Sequence, residues 1–140
     1  MRKLLLLCFI LLSFSYSQSK VFIQDKEIAM QDNEVLIEVL GMVCSMCAYG
    51  IEQGFSEIEF VDKTKFKNGV FVEIDSQFVQ VGLKESSNVN PETILTVIED
   101  AGYELNTLFI LQDKKLTKFS VDKVGILQPV ALNNSFNSIS

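Results

Sequence analysis

Alternation of apolar and polar residues predicts the strands of this chain. Residues 35–40 carry Val or Ile at every second position, a period typical of a strand with at least one buried face. A second alternating stretch covers residues 70–83 and is interrupted at Ser76-Gln77, which predicts a hairpin of two strands. Residues 103–111 offer a final strand. The chain therefore contains at least four strands, two of them joined by a short turn.

A different spacing predicts two helices. Between residues 47 and 58 an apolar residue recurs every three or four positions, although Gly50 and Gly54 weaken this helix. The second helix has clear boundaries. Asn90 can accept hydrogen bonds from the first free N–H groups, Pro91 suits the first helical position, and Gly102 suits the end.

The resulting order, β-α-β-β-α-β, predicts an α+β fold. It is a ferredoxin-like sandwich, in which a four-stranded antiparallel sheet carries two helices on one face. The apolar positions of both element types then share one core, predicted as Ile37, Val39, Ile51, Phe55, Val72, Ile74, Val79, Val81, Ile94, Ile98 and Leu108.

The ends of the chain differ from its middle. Residues 1–17 are predicted to be a secretory signal peptide. They begin with the basic residues Arg2 and Lys3, continue with an apolar run over residues 4–12, and have small residues before the cleavage point. We expect an exported protein, periplasmic or secreted, without stable membrane insertion after cleavage; retention of the segment as an anchor is the alternative. Residues 18–33 read as an N-terminal extension, residues 34–111 as the domain, and residues 112–140 as a loosely ordered C-terminal extension.

Charge and composition argue against some classes of partner and some kinds of site. The net charge is −6, and removal of residues 1–17 takes away two cations and leaves −8. Nucleic-acid binding needs clustered positive charge, so no nucleic-acid partner is expected. The chain has no His, which removes the commonest metal ligand and the commonest general base.

The pair Cys44 and Cys47 carries the candidate chemistry. In the predicted topology Cys44 lies on the first strand-to-helix loop and Cys47 opens the helix, whose positive N-terminus favours thiolate. Two converging thiolates suit Cu(I), whereas Zn(II) prefers four ligands. The spacing alone also fits a redox-active dithiol or a structural disulfide.

The residues around this pair indicate a family. Residues 41–52, from Gly41-Met42 through Cys44 and Cys47 to Ile51-Glu52, resemble the signature G-M-x-C-x-x-C-x-x-x-I-E of the heavy-metal-associated domain family. Residues 91–104 resemble its second helix with the Ala-Gly-Tyr ending, and the match spans about residues 35–110. The chain departs from the family pattern at Val43, where Thr is common, and in the longer connection before Gly69.

The resemblance implies a fold and a function. The family is ferredoxin-like and includes copper chaperones, modules of metal-exporting ATPases and periplasmic mercury-binding proteins. By this resemblance Cys44 and Cys47 are the metal ligands, Met42 is an apolar anchor under the loop, and Tyr103 lies near the site.

We therefore expect a metal carrier rather than an enzyme. The chain would capture and transfer a soft metal ion, with Cu(I) preferred and Hg(II) or Zn(II) as the other candidates. Its partner would be a metal-transporting ATPase or another cysteine-bearing metal-binding protein. The alternative is a thiol–disulfide oxidoreductase that uses the same Cys44 and Cys47 pair.

Overall fold

The computed structural model describes residues 18–132, apart from the side chain of Cys47. The predicted signal peptide, residues 1–17, and the last part of the predicted C-terminal extension, residues 133–140, lie outside the described residues. The elements are, in chain order, β1 (Ser19–Ile23), β2 (Lys26–Met30), β3 (Glu34–Leu40), α1 (Ser45–Ser56), β4 (Val70–Glu73), β5 (Phe78–Gly82), α2 (Pro91–Asp100), β6 (Glu104–Gln112), β7 (Lys115–Val121) and β8 (Leu127–Val130).

Six of these strands form one antiparallel sheet in the order β4-β5-β3-β6-β7-β8. Within it, β3, α1, β4, β5, α2 and β6 follow the predicted β-α-β-β-α-β order. Each helix connects two strands that lie on either side of a third, so β5 separates β3 from β4 and β3 separates β5 from β6. The fold is α+β with antiparallel sheets and two helices, and this central part is compatible with the ferredoxin-like sandwich.

The sheet is larger than predicted. The described residues contain eight strands, whereas the sequence predicted four. Two of the additional strands, β7 and β8, continue the main sheet beyond β6 and occupy a segment expected to be loosely ordered. Phe119 and Val121 of β7 pack against the main core, and Leu127 of β8 is part of that core. Burial of these apolar side chains explains why the segment is structured.

The helices cover one face of the sheet. Nine of the predicted core positions are buried there, while Val72 is partly buried against the core and Ile74 is only half-buried. The two helices approach closely, because a Cβ placed on Gly54 would lie 2.8 Å from Val97 Cγ1. Gly54, which weakens α1 as a helix, therefore permits the packing of α1 against α2.

The hairpin β1–β2 covers the opposite face of the sheet. Its inward side chains pack with residues of β3, β5, β6 and β7 in a second apolar cluster, formed by Val21, Ile23, Ile28, Met30, Leu36, Phe78, Phe109 and Leu111, with Leu116 at its margin. The nearly continuous apolar runs of β3 and β6 are thus explained, because strands buried on both faces do not alternate. Within residues 18–132, no helix has both the length and the apolar character needed to cross a bilayer.

Candidate metal site

The two cysteines follow β3 at one end of the sheet. In the register of β3 with β6, Leu40 lies opposite Glu104. The next residues outward, Gly41 and Tyr103, therefore leave the sheet at the same end, where α1 also begins. The loop 41–44 and the α2–β6 connection are brought together by strand pairing.

The loop reverses direction within four residues. Gly41 has φ of 85°, a left-handed conformation that L side chains rarely adopt. Met42 then turns inward and is 1% exposed within the main core, whereas the next side chain, Val43, is 78% exposed. Met42 thus ties the loop to the core, and Val43 and Cys44 are left on the surface.

Cys44 is the residue immediately before α1, and Cys47 lies in the first turn of that helix. Cys44 has an extended backbone, with φ of −147° and ψ of 154°. It is exposed and takes part in a disulfide, so the structure represents an oxidised form of the protein. Among the described residues the backbone places both cysteines at one helix end, while the side chain of Cys47 lies outside the description.

The N-terminus of α1 differs from that of α2 in its electrostatics. The side chain of Asn90 accepts a hydrogen bond from the Glu92 N–H at the start of α2, and Glu92 adds a negative charge there. In the described structure Cys44 makes no side-chain capping bond, and residues 39–51 contain no charged side chain. No acidic side chain therefore neutralises the positive end of the α1 dipole at Cys44, and such a field stabilises thiolate in a reduced cysteine.

Tyr103 leaves the sheet at the same end as the loop 41–44. Its side chain is partly buried and packs against the main core, and its N–H donates to the Ile98 carbonyl at 3.1 Å. This hydrogen bond, together with Gly102 at φ of 86°, closes α2 and starts β6. Tyr103 is thus fixed by the chain reversal beside the loop 41–44.

Gln77 was not predicted to belong to this site. It ends the β4–β5 turn, and its side-chain Oε1 accepts a hydrogen bond from the Gly41 N–H at 3.1 Å. The sequence marked Ser76-Gln77 only as a turn, because the contact joins residues 36 positions apart. Nothing in the local pattern signals it.

An uncharged apolar surface surrounds Cys44. Val43, Met46 and Tyr49 are 78%, 81% and 60% exposed and recur every three residues through the loop and the first turns of α1. Exposed apolar groups of this kind commonly mark a contact surface. Within the described side chains, no group of three or more Cys, Asp or Glu residues is arranged to hold a metal ion. A site of two cysteines has fewer ligands than such a group of three or more.

No family model matches the chain, and no curated protein matches it significantly. Among solved structures, the CopZ metallochaperone is similar at 25% identity and a TM-score of 0.43, covering 51% of this chain and 97% of its own.

Two further solved structures involve a yeast copper transporter domain. The domain Ccc2a, solved in apo and Cu(I)-loaded states, is 26% identical and covers 57% of this chain and 96% of its own, with a TM-score of 0.43. The structure of the Atx1–Cu(I)–Ccc2a complex gives 28% identity over 57% of this chain and 96% of that chain, with a TM-score of 0.42. Since all three TM-scores lie below 0.5, these similarities establish neither fold nor function.

Proposed function

We propose that this protein captures one Cu(I) ion between the sulfurs of Cys44 and Cys47 and passes it to a partner protein. The observation that carries the proposal is the position of the pair, with Cys44 exposed directly before α1 and Cys47 in its first turn. The uncapped helix N-terminus favours thiolate, and thiolates select soft ions. Cu(I) is stably coordinated by two such ligands. Hg(II) is the main competing ion, and Zn(II) is served poorly by two sulfurs.

Two features of the surrounding structure support this site. Met42 is buried beneath the loop and Tyr103 starts from the same end of the sheet, as the resemblance to the heavy-metal-associated domain family implies. The order β3-α1-β4-β5-α2-β6 is also the order expected for that family. The proposal gives Cys44 and Cys47 the role of ligands, and Met42 and Tyr103 the role of holding the loop.

Transfer would proceed by exchange of thiolates, without a change in the oxidation state of copper. A cysteine of the partner loses its proton and binds the ion, which gives a three-sulfur intermediate. One donor sulfur, either Cys44 or Cys47, then leaves and takes up a proton. A second partner cysteine, on losing its proton, replaces the remaining donor sulfur in the same way, and the ion ends on the partner. The partner would be a metal-transporting ATPase or another cysteine-bearing metal-binding protein, and the protein acts as a carrier rather than an enzyme.

Export is part of the proposal and creates a redox requirement. A signal peptide at residues 1–17 would deliver the protein to the periplasm or to the exterior, where thiols are readily oxidised. The disulfide at Cys44 is the form expected under such conditions. Because a sulfur in a disulfide is not a thiolate, the protein must be reduced before it binds metal.

A Cu(I) titration of the reduced protein, in competition with a Cu(I) chelator, tests the function. We expect one ion per chain, bound at least 100 times more tightly by the wild type than by a Cys44→Ser, Cys47→Ser double variant, since ~1.4 kcal/mol corresponds to each tenfold step and two thiolate bonds are lost. Equal affinity in the two proteins would refute the proposed site. The same titration with Hg(II) compares the two candidate ions.

The alternative function is thiol–disulfide exchange, and the disulfide at Cys44 is the observation that favours it. A thiolate at a helix start reacts with disulfides as well as with metal ions. An insulin-reduction assay distinguishes the two functions. Sustained turnover that requires Cys44 and Cys47 would favour the oxidoreductase, whereas a carrier should show none above the double variant.

A further inference from the structure

Gln77 accepts two hydrogen bonds from the end of β3 and the residue after it, one through its backbone carbonyl and one through its side chain. Its carbonyl oxygen accepts a hydrogen bond from the Val39 N–H at 2.9 Å, and its side-chain Oε1 accepts one from the Gly41 N–H at 3.1 Å. The pairing of β3 with β5 otherwise ends at Glu38 and Phe78. Gln77 thus extends the hydrogen bonding along β3 to the first residue of the loop that carries Cys44.

The chain needs support at this point, because its geometry is irregular. The register of β3 with β6 shifts between Glu38 and Val39, and Gly41 has a left-handed backbone. Between these two irregularities Val39 and Leu40 pair with β6, whereas the regular pairing with β5 has already ended at Glu38. A hydrogen bond to the Gly41 N–H fixes the peptide plane from which the loop departs.

The turn that carries Gln77 is itself anchored. The Gln77 N–H donates to the Ile74 carbonyl at 3.2 Å, which closes the turn. On its other side, Lys26 of the β1–β2 hairpin donates to Ser76 Oγ at 3.0 Å and lies 3.8 Å from Glu73 Oε2. The amide of Gln77 is therefore presented to Gly41 by a turn held from two directions.

We propose that Gln77 is a positioning residue for the metal loop, acting through Gly41 on the placement of Cys44. This inference rests on the proposed function. Met42 is held in the core and α1 begins directly after Cys44, so a hydrogen bond at Gly41 leaves the loop 41–44 little freedom. Less conformational freedom then has to be lost when the two sulfurs close on an ion.

Three variants separate the hydrogen bond from other effects. Gln77→Met keeps the length of the side chain and removes the acceptor, Gln77→Glu keeps an acceptor, and Gln53→Met makes the same change on the exposed face of α1. Cu(I) affinity of each reduced protein is measured by chelator competition, and exchange of the Gly41 amide proton is measured by NMR. Gln77→Asn, whose side chain is too short to reach Gly41, replaces Gln77→Met should that variant fail to fold.

We expect Gln77→Met to bind Cu(I) about three to ten times more weakly than the wild type, the range that one net hydrogen bond provides. Its Gly41 amide should exchange faster, while Gln77→Glu keeps the protection and recovers most of the affinity. Gln53→Met should match the wild type in both measurements.

Several results would overturn the inference. Unchanged exchange of the Gly41 amide in Gln77→Met would show that the side chain of Gln77 does not protect this amide. Unchanged Cu(I) affinity would show that the hydrogen bond does not affect metal binding. Weak binding by Gln77→Glu equal to that of Gln77→Met would show that the acceptor is not the cause. Absence of Cu(I) binding in the wild type would instead refute the proposed function, and the inference with it.

Discussion

Glu34 is a carboxylate buried at the start of β3, with 4% of its surface exposed. Its burial raises the pKa of this group, while a hydrogen bond from the Gln31 N–H at 2.9 Å and the positive charge of Lys65 act in the opposite direction. This burial could not be predicted from the sequence, because an acid beside an apolar strand is usually solvated. The side chain instead joins the β2–β3 connection to the sheet.

Replacement of Glu34 by Gln should change how stability depends on pH. Because burial raises the pKa of Glu34 in the folded protein above its ordinary value, the folded protein holds this proton more tightly than the unfolded chain. The resulting stability is present below the unfolded-state pKa and is lost as pH rises through the folded-state pKa. Urea unfolding at pH 4 and pH 7 should show Glu34→Gln gaining stability relative to the wild type as pH rises. A pH-independent difference, like that expected for the exposed Glu85→Gln, would contradict this.

Gly41 is required for its backbone conformation and not for space. A Cβ at this position would meet nothing within 4 Å, yet φ of 85° is unfavourable for Ala. Gly41→Ala should therefore lower the free energy of unfolding by about 1–2 kcal/mol. Gly50→Ala provides the control, since its Cβ would lie 4.0 Å from that of Ala101, an ordinary contact, and helix propensity favours Ala. Urea unfolding should give opposite signs for the two substitutions; equal effects would refute the conformational explanation.

At the scale of elements, the helices were easier to predict than the hairpins. The second helix was predicted from Asn90, Pro91 and Gly102, and these residues do flank α2. The turns of two additional hairpins were not recognised, because each uses two residues with positive φ that are not the usual Asn-Gly or Asp-Gly pair. These residues are Gln24 and Asp25 between β1 and β2, and Asp113 and Lys114 between β6 and β7.

The strand β7 was missed for a related reason. Its apolar residues point to both faces, with Leu116 beside the hairpin cluster and Phe119 and Val121 beside the main core. A strand of this kind shows no clean alternation, so its partners and not its own pattern determine its structure. The candidate site also has parts that the local sequence predicts and parts that depend on strand pairing. Its loop and helix start could be predicted from local residues, whereas Gln77 depended on the pairing of β5 with β3.

The hairpin β1–β2 should contribute substantially to stability. Met30 has no exposed surface and packs against the reverse face of the sheet, so Met30→Ala should cost about 2–5 kcal/mol through lost burial and a cavity. Met46→Ala makes the same change at a side chain that is 81% exposed, and should change stability by less than about 0.5 kcal/mol. Similar unfolding midpoints for the two variants in urea would show that the hairpin does not stabilise the sheet.

At the scale of the whole molecule, the sheet carries the proposed metal site at one of its ends. Both faces of the sheet are covered, and the loop that carries Cys44 leaves one end of it, held by Met42 in the core and by Gln77 at the surface. In the proposed function, Cys44 and Cys47 bind a metal ion when they are reduced and cannot bind it when Cys44 is in a disulfide. The redox state would then decide whether the protein carries metal.

Native mass spectrometry of protein purified without oxygen tests the central claim most directly. We expect one copper ion per chain in the reduced wild type after supply of Cu(I), and none in the Cys44→Ser, Cys47→Ser variant or in wild type oxidised beforehand. Copper retained equally by the double variant, or a reduced wild type that stays metal-free, would contradict it.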